Sequence, residues 1–181
     1  MERYAFGIDV GGTTVKMGFF SDRGELLEKW EIPTDTSDHG ANIIPDIASA
    51  VEEKLAEKQL GKEDVIGVGI GVPGPVDAKG CVRQCVNLGW GTFQLEEAVE
   101  KAVGLPCRAG NDANVATLGE MYKGCAREYR QLVMLTLGTG VGGGIIIDGK
   151  ILPGSCGATG EVGQVGGQAV LGRQDLITTP W

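Results

Sequence analysis

Histidine is almost missing from this chain: there is one in 181 residues, His39, and it lies in a polar loop. A zinc site or a catalytic triad built on imidazole therefore has nothing to start from. The five cysteines, at 81, 85, 107, 125 and 156, are odd in number and contain no C-x-x-C. Disulfide frameworks need pairs and zinc sites need paired spacings, so the expectation is free buried thiols in a reducing cytosol. No apolar run approaches the roughly 20 residues of a membrane helix. The first residues lack the basic and apolar segments of a secretory leader, which predicts a cytoplasmic protein that uses no membrane. Basic residues are outnumbered, with 16 Lys and Arg against 24 Asp and Glu and a formal charge of -8. Without a basic stripe, a stand-alone binder of nucleic acid or anionic membrane is excluded.

Glycine, by contrast, is abundant: the 31 glycines fall between apolar strands, as turn chemistry does, and not as low complexity. The stretch Asp9-Val10-Gly11-Gly12-Thr13-Thr14 joins an apolar strand over residues 4–9 to an alternating one over 15–20. Paired glycines let backbone N–H groups approach a ligand, two hydroxyls add donors, and a carboxylate ends the first strand. This is a phosphate cradle with a place for a divalent cation. The device recurs, since a strand over 132–137 runs into Gly138-Thr139-Gly140-Val141-Gly142-Gly143-Gly144 and a strand follows. Between the two loops stands Gly110-Asn111-Asp112-Ala113-Asn114, a carboxylate at a strand-to-helix junction. Two glycine loops with an acid between them point to phosphoryl transfer. The competing reading is two tight turns chosen for geometry, with Asp112 serving only as a helix N-cap.

Other nucleotide motifs fit less well. Gly138 to Gly143 matches G-x-G-x-x-G, but a dinucleotide fold needs a helix next, whereas Ile145-Ile146-Ile147 is β-branched and reads as a strand. No His-Arg-Asp or Asp-Phe-Gly of a protein kinase follows, and no G-x-x-x-x-G-K-[ST] is present. Along the chain, strands are expected at 26–32, 65–71 and 106–109, and helices from Ile44 to Gly61, over 95–103, and from Asp112 to about Lys123. Residues 81–90 read as a loop or irregular hairpin. A boundary near 120–130 divides a complete α/β unit, 1–124, from an incomplete second one, 125–181. Glu161, flanked by glycines, is expected to face a pocket.

Five motifs in series resemble the ROK family of sugar kinases and repressors, most nearly its bacterial glucokinases. They are the 9–14 stretch, Gly71-Val72-Pro73-Gly74-Pro75-Val76-Asp77, Asn87-Leu88-Gly89-Trp90, Asn111-Asp112-Ala113-Asn114, and residues 137–144. The resemblance covers about residues 3–163. It implies an actin-like, ribonuclease-H-like α/β ATPase fold, with a complete first domain and a partial second one, ATP and a hexose meeting in the cleft. It makes Asp112 the general base, with Asn111, Glu161, Gly74 and Asn87 at the sugar. It places Asp9 near Mg²⁺, Gly11, Gly12, Thr13 and Thr14 at the transferred phosphate, and Gly138, Thr139, Gly140 and Gly142 around the nucleotide phosphates.

The chain also departs from the family. Where members carry a sugar- and zinc-binding His, it has Gln164, and the cysteine-rich zinc loop, a further sugar-binding Glu and most of the second domain do not follow. Zinc is therefore not expected, residues 165–181 resemble nothing in the family, and a truncated frame from about Gln164 with little turnover and exposed apolar surface is the expectation. A sugar-responsive regulator without its DNA-binding region, and a kinase for N-acetylmannosamine, N-acetylglucosamine or fructose, are the alternatives. The resemblance allows a homo-oligomer for the full-length protein.

Overall fold

A computed structural model describes residues 2–137, 141–152 and 159–160. Its largest layer is a five-stranded sheet whose first three strands form a meander: β1 (Tyr4–Val10), β2 (Thr14–Ser21) and β3 (Leu26–Pro33). Two parallel strands, β4 (Val65–Val72) and, after a short β5 (Cys81–Val82) and β6 (Phe93–Gln94) hairpin, β7 (Cys107–Asn111), extend it. The order is β3-β2-β1-β4-β7, so β1 sits in the middle and its C-terminal end meets the ends of β4 and β7. Parallel neighbours require crossovers, and these are α1 (Ile43–Lys58) and α2 (Leu95–Val103).

The period of two along these strands divides the sheet into unlike faces. Phe6, Ile8, Val10, Val15, Met17, Phe19, Val68 and Ile70 are buried in one cluster with Ile43, Ile47, Val51 and Leu55 of α1 and Leu95, Val99 and Val103 of α2. Gly7, Asp9, Gly18, Gly69 and Gly71 occupy the alternate positions, where the Phe20 ring covers Gly7 and Gly18 and the rest of the face carries little bulk. α1 is fastened to β3 by Lys54, whose ammonium lies 2.5 Å from Glu28 and 4.7 Å from the centre of the Trp30 ring. Both crossover helices stop on a left-handed residue, Gln59 for α1 and Gly104 for α2, the latter at φ 73°.

A third helix, α3 (Asp112–Tyr122), begins where β7 ends and covers part of the glycine-bearing face. Its other side receives a second, three-stranded sheet, β8 (Leu132–Leu137), β9 (Val141–Ile147) and β10 (Lys150–Ile151), in the order β10-β9-β8. Glycines make the approach possible: a Cβ on Gly144 would lie 2.1 Å from the Thr117 hydroxyl oxygen, and one on Gly142 would lie 3.3 Å from the Ala113 methyl. On the far side of β8, Val133, Leu135 and Leu137 are exposed by 66%, 59% and 82%, an uncovered apolar stripe. The thiols depart from the expected burial. Cys85 and Cys107 are buried, Cys81 is half-buried and Cys125 is exposed, because only the first two face the core. Burial pushes the Cys107 thiol up to about 12.

Candidate active site

The strand ends of the large sheet, the start of α3 and the end of β8 meet around a cavity of about 370 Å³, lined by Asp9, Gly71, Asp112, Ala113 and Thr136 among others. That is a size suited to a small ligand. Asp9 reaches it because β1 places it on the glycine-bearing face, one residue from the end of the strand. Asp112 reaches it because α3 starts directly after β7, whose residues Gly110 and Asn111 pair with Gly71 and Val72 of β4. Gly71 and Asp112 are in close contact: a Cβ at residue 71 would lie 3.5 Å from the Asp112 Cα.

The cap of α3 goes against the competing reading of Asp112 as no more than a helix cap. Asn111 is the N-cap, its side-chain oxygen accepting from the Asn114 N–H at 3.2 Å, and its amide nitrogen donates to the Gly74 carbonyl at 3.4 Å. Asn111 has the extended backbone of a cap while Asp112 is already helical, so the carboxylate is displaced from the capping position. Asp112 accepts from the Ala113 N–H at 2.7 Å and from the Asn111 side chain, and it lines the cavity. Its carboxyl is held above the usual carboxylate range, first by burial and also by the charge of Asp9, against the lowering effect of the Ala113 bond. The two acids thus feel each other across the cavity. Lys16, opposite Asp9 in the β1–β2 pairing, brings its ammonium to 3.9 Å from the Asp9 carboxylate.

The first glycine corner stands beside this pair. Gly11 N–H donates to the Thr14 carbonyl at 3.0 Å, Gly12 and Thr13 are exposed at the tip, and Thr14 begins β2. Asn87 flanks it, with its backbone oxygen 3.7 Å from where a Cβ on Gly12 would stand. Gly74 is buried behind Asn111, against Gln84 and Cys85, and a Cβ there would meet the Cys85 sulfur at 2.4 Å. It presents only its carbonyl to Asn111. Of the second corner, Gly142 packs against Thr136 and Ala113, next to Asp112. Gly138, Thr139, Gly140 and Glu161 lie outside the described residues.

Asp9, Asp112, the 11–14 corner, Asn87 and the flank of the second glycine loop are therefore neighbours, while Asn111 and Gly74 are engaged with each other. Two residues at the site escape a reading by motif: Lys16 and Thr136. Lys16 has a signal in principle, because a two-residue loop at 12–13 puts residue 16 across from residue 9.

Among the described residues no group of three or more His, Cys, Asp or Glu surrounds a common point. Asp9 and Asp112 offer two hard oxygen donors on one cavity. That donor set fits a magnesium-like ion that keeps waters and phosphate oxygens as its remaining ligands, and does not form an all-protein cage. No helix among the described residues is long and apolar enough to cross a membrane.

The chain has known counterparts. The sequence model of the ROK family matches residues 5–169. A glucokinase of Halalkalibacterium halodurans is 45% identical over 165 residues, 91% of this chain and 50% of that protein. An N-acetylgalactosamine kinase of a Shewanella strain is 33% identical over 165 residues, 89% of this chain and 51% of its own length. Among solved structures, a ROK family glucokinase of Streptomyces griseus in complex with glucose and AMPPNP superposes with a TM-score of 0.77 at 37% identity, covering 88% of this chain and 49% of that one. The chain thus spans about half the length of the relatives it matches, and over that length it has their α/β sheet fold.

Proposed function

This chain belongs to the ROK family, and from that premise we propose that it is the first half of an ATP-dependent hexose kinase of the glucokinase kind, with Asp112 as general base. The reading is carried by one observation: Asp112 and Asp9, from different elements, line one cavity beside a glycine corner able to hold phosphate. In the reaction a sugar hydroxyl gives its proton to the Asp112 carboxylate as its oxygen bonds to the terminal phosphorus of ATP, and the bond from that phosphorus to the bridging oxygen breaks to release ADP. Burial supports the role. A carboxyl with a raised pKa is a stronger base than a solvated one.

Asn111 helps by fixing where Asp112 stands. Its cap bond and its bond to Gly74 lock the first turn of α3 to the loop after β4, so the carboxylate is presented by rigid backbone. Gly11, Gly12, Thr13 and Thr14 supply amides and hydroxyls for the transferred phosphoryl group, and the Gly142 flank of the second loop brings the nucleotide side of the cleft to Ala113. Mg²⁺, held on the Asp9 side, would supply charge neutralisation on the phosphate oxygens.

Glucose is the substrate we favour, from the relatives named above. Phosphoryl transfer depends on positioning from both halves of a cleft. Since the chain spans about half the relatives' length, we propose that alone it turns over little.

The test is a hybrid in which the second half of the Halalkalibacterium halodurans glucokinase continues the chain after Gly160, assayed for glucose phosphorylation beside the 181-residue chain. The hybrid is expected to be active, and Asp112→Asn in it to lower kcat by about 10²–10⁴-fold, the range of a lost general base. An Asp112→Asn hybrid as active as its parent refutes the assignment, as does robust turnover by the chain alone for the incomplete cleft. N-acetylglucosamine and N-acetylmannosamine in the same assay decide between glucose and an N-acetylhexosamine.

A further inference from the structure

The corner at residues 11–14 is not closed the way a two-residue hairpin usually is. With Gly12 and Thr13 as the loop, Gly11 and Thr14 face each other and would ordinarily exchange two backbone bonds. One is present, from Gly11 N–H to the Thr14 carbonyl at 3.0 Å. The reverse bond, from Thr14 N–H to the Gly11 carbonyl, is absent among the described residues. A side chain has taken its place: the Thr34 hydroxyl, 23 residues on, donates to the Gly11 carbonyl at 2.7 Å. The same residue's backbone N–H donates to the Thr13 carbonyl at 2.9 Å.

Two carbonyls of one corner are thus drawn toward a single residue at the end of β3. All peptides here are trans. In a trans peptide the N–H points opposite to the C=O. The N–H of Gly12, in the same peptide as the Gly11 carbonyl, therefore points away from Thr34. So does the N–H of Thr14, which shares its peptide with the Thr13 carbonyl. Because β3 lies outside β2 at the sheet edge, that direction leads back over the corner, to the side of β1 and β4 where Asp9 and the cavity lie.

We infer that Thr34 is a positioning residue: it pulls the Gly11 and Thr13 carbonyls aside, withholds the usual hairpin bond, and leaves the Gly12 and Thr14 amides aimed together at one phosphoryl group. The inference rests on the proposed use of this corner for phosphate and deepens it. Among the described residues neither amide donates to a side chain, and two converging N–H donors suit the oxygens of a polyphosphate terminus. Successive backbone amides with their carbonyls turned outward form an anion nest whose shape is ready before the ligand arrives. Preorganisation is the gain, since the amides need no rearrangement at the moment of binding.

The experiment uses the 181-residue chain and inorganic tripolyphosphate, followed by amide nuclear magnetic resonance. In the wild type the Gly12 and Thr14 resonances are expected to move on titration. Thr34→Val preserves shape and the backbone N–H but removes the hydroxyl donor. It is expected to weaken tripolyphosphate about fivefold to tenfold, as one lost hydrogen bond would, and to abolish the Thr14 movement. Thr34→Ser is expected to restore both, which a purely volumetric role would not. Hydrogen exchange in the unliganded wild type adds a test that needs no variant: Gly11 N–H slow, Thr14 N–H fast. A slow Thr14 amide overturns the inference. So does Thr34→Val binding as the wild type does, and that result leaves the kinase reading standing. A wild type in which tripolyphosphate moves neither amide removes the anion corner itself, and with it the phosphate half of that reading.

Discussion

The two faces of the five-stranded sheet are made by the same strands and do opposite work. On one, Phe6, Ile8 and Ile70 alternate into a cluster sealed by α1 and α2. On the other, Gly7 and Gly18 make room for the Phe20 ring, and beside it Gly69 floors a cavity of about 730 Å³ lined also by Asp9, Lys16, Asn111 and Asn114. A Cβ on Gly69 would find nothing nearer than the Phe6 carbonyl at 4.0 Å. The difference teaches where stability and chemistry are kept apart. Dense packing holds the strand ends in place from behind, and the glycine-bearing side lets two acids and a backbone corner converge in front. An acid such as Asp112, whose charge is disfavoured by burial, is tolerated because the closed face supplies the stability.

The comparison breaks most visibly at Phe6. It is 2% exposed, with its ring 5.2 Å from Phe19 and 6.3 Å from Trp30. Phe6→Ala is expected to cost about 3–5 kcal/mol in urea unfolding, the usual range for a buried aromatic. A cost below about 1 kcal/mol would mean that this face is not the one holding the sheet together.

Asp112→Asn tests the front face, with the opposite sign. The folded-state carboxyl is raised, so folding favours the protonated form, and that contribution is lost as pH climbs through the folded pKa. At neutral pH the charged side chain therefore opposes folding. Asp112→Asn is expected to raise the unfolding midpoint at pH 7 and to leave it unchanged near pH 3, below the ordinary carboxylate range. A variant destabilised at pH 7 would show Asp112 to be part of the scaffold.

The smallest effect is expected at Gly69. Gly69→Ala adds a methyl to open space and removes glycine's entropic cost in a strand, so stability should rise by about 0.5–1 kcal/mol. A loss of that size or more would show the floor to be occupied. It would also blur the contrast between the faces.

Much of this was legible from residue types in order. Asp9 before Gly11 and Gly12 announces a corner that is not ordinary strand, and β1, β2, β4 and α2 follow from alternation or helical spacing to within a residue, whereas α1, expected to reach Gly61, stops at Lys58 with Gln59 as its left-handed cap. Asn111 and Asp112 show the limit. Either side chain is a good cap, and only the backbone, extended at 111 and helical at 112, assigns the cap to one and frees the carboxylate of the other. Thr34 was invisible for a different reason: nothing in Pro33-Thr34-Asp35 hints at a bond to a carbonyl 23 residues away. Thr136 and Lys16 likewise join the site through pairing across strands.

By itself the sequence determined the chemistry available: acids and glycine corners, one histidine, and strands whose period of two separates bulk from glycine. Those properties belong to single residues and their near neighbours, so they survive being read in a line. Only the tertiary structure decided which acid faces the cavity, which amides are released to meet a ligand, and which threonine releases them. Each of these depends on a hydrogen bond or a packing contact between residues far apart in the chain, and such contacts exist only once the sheet has brought the strand ends together.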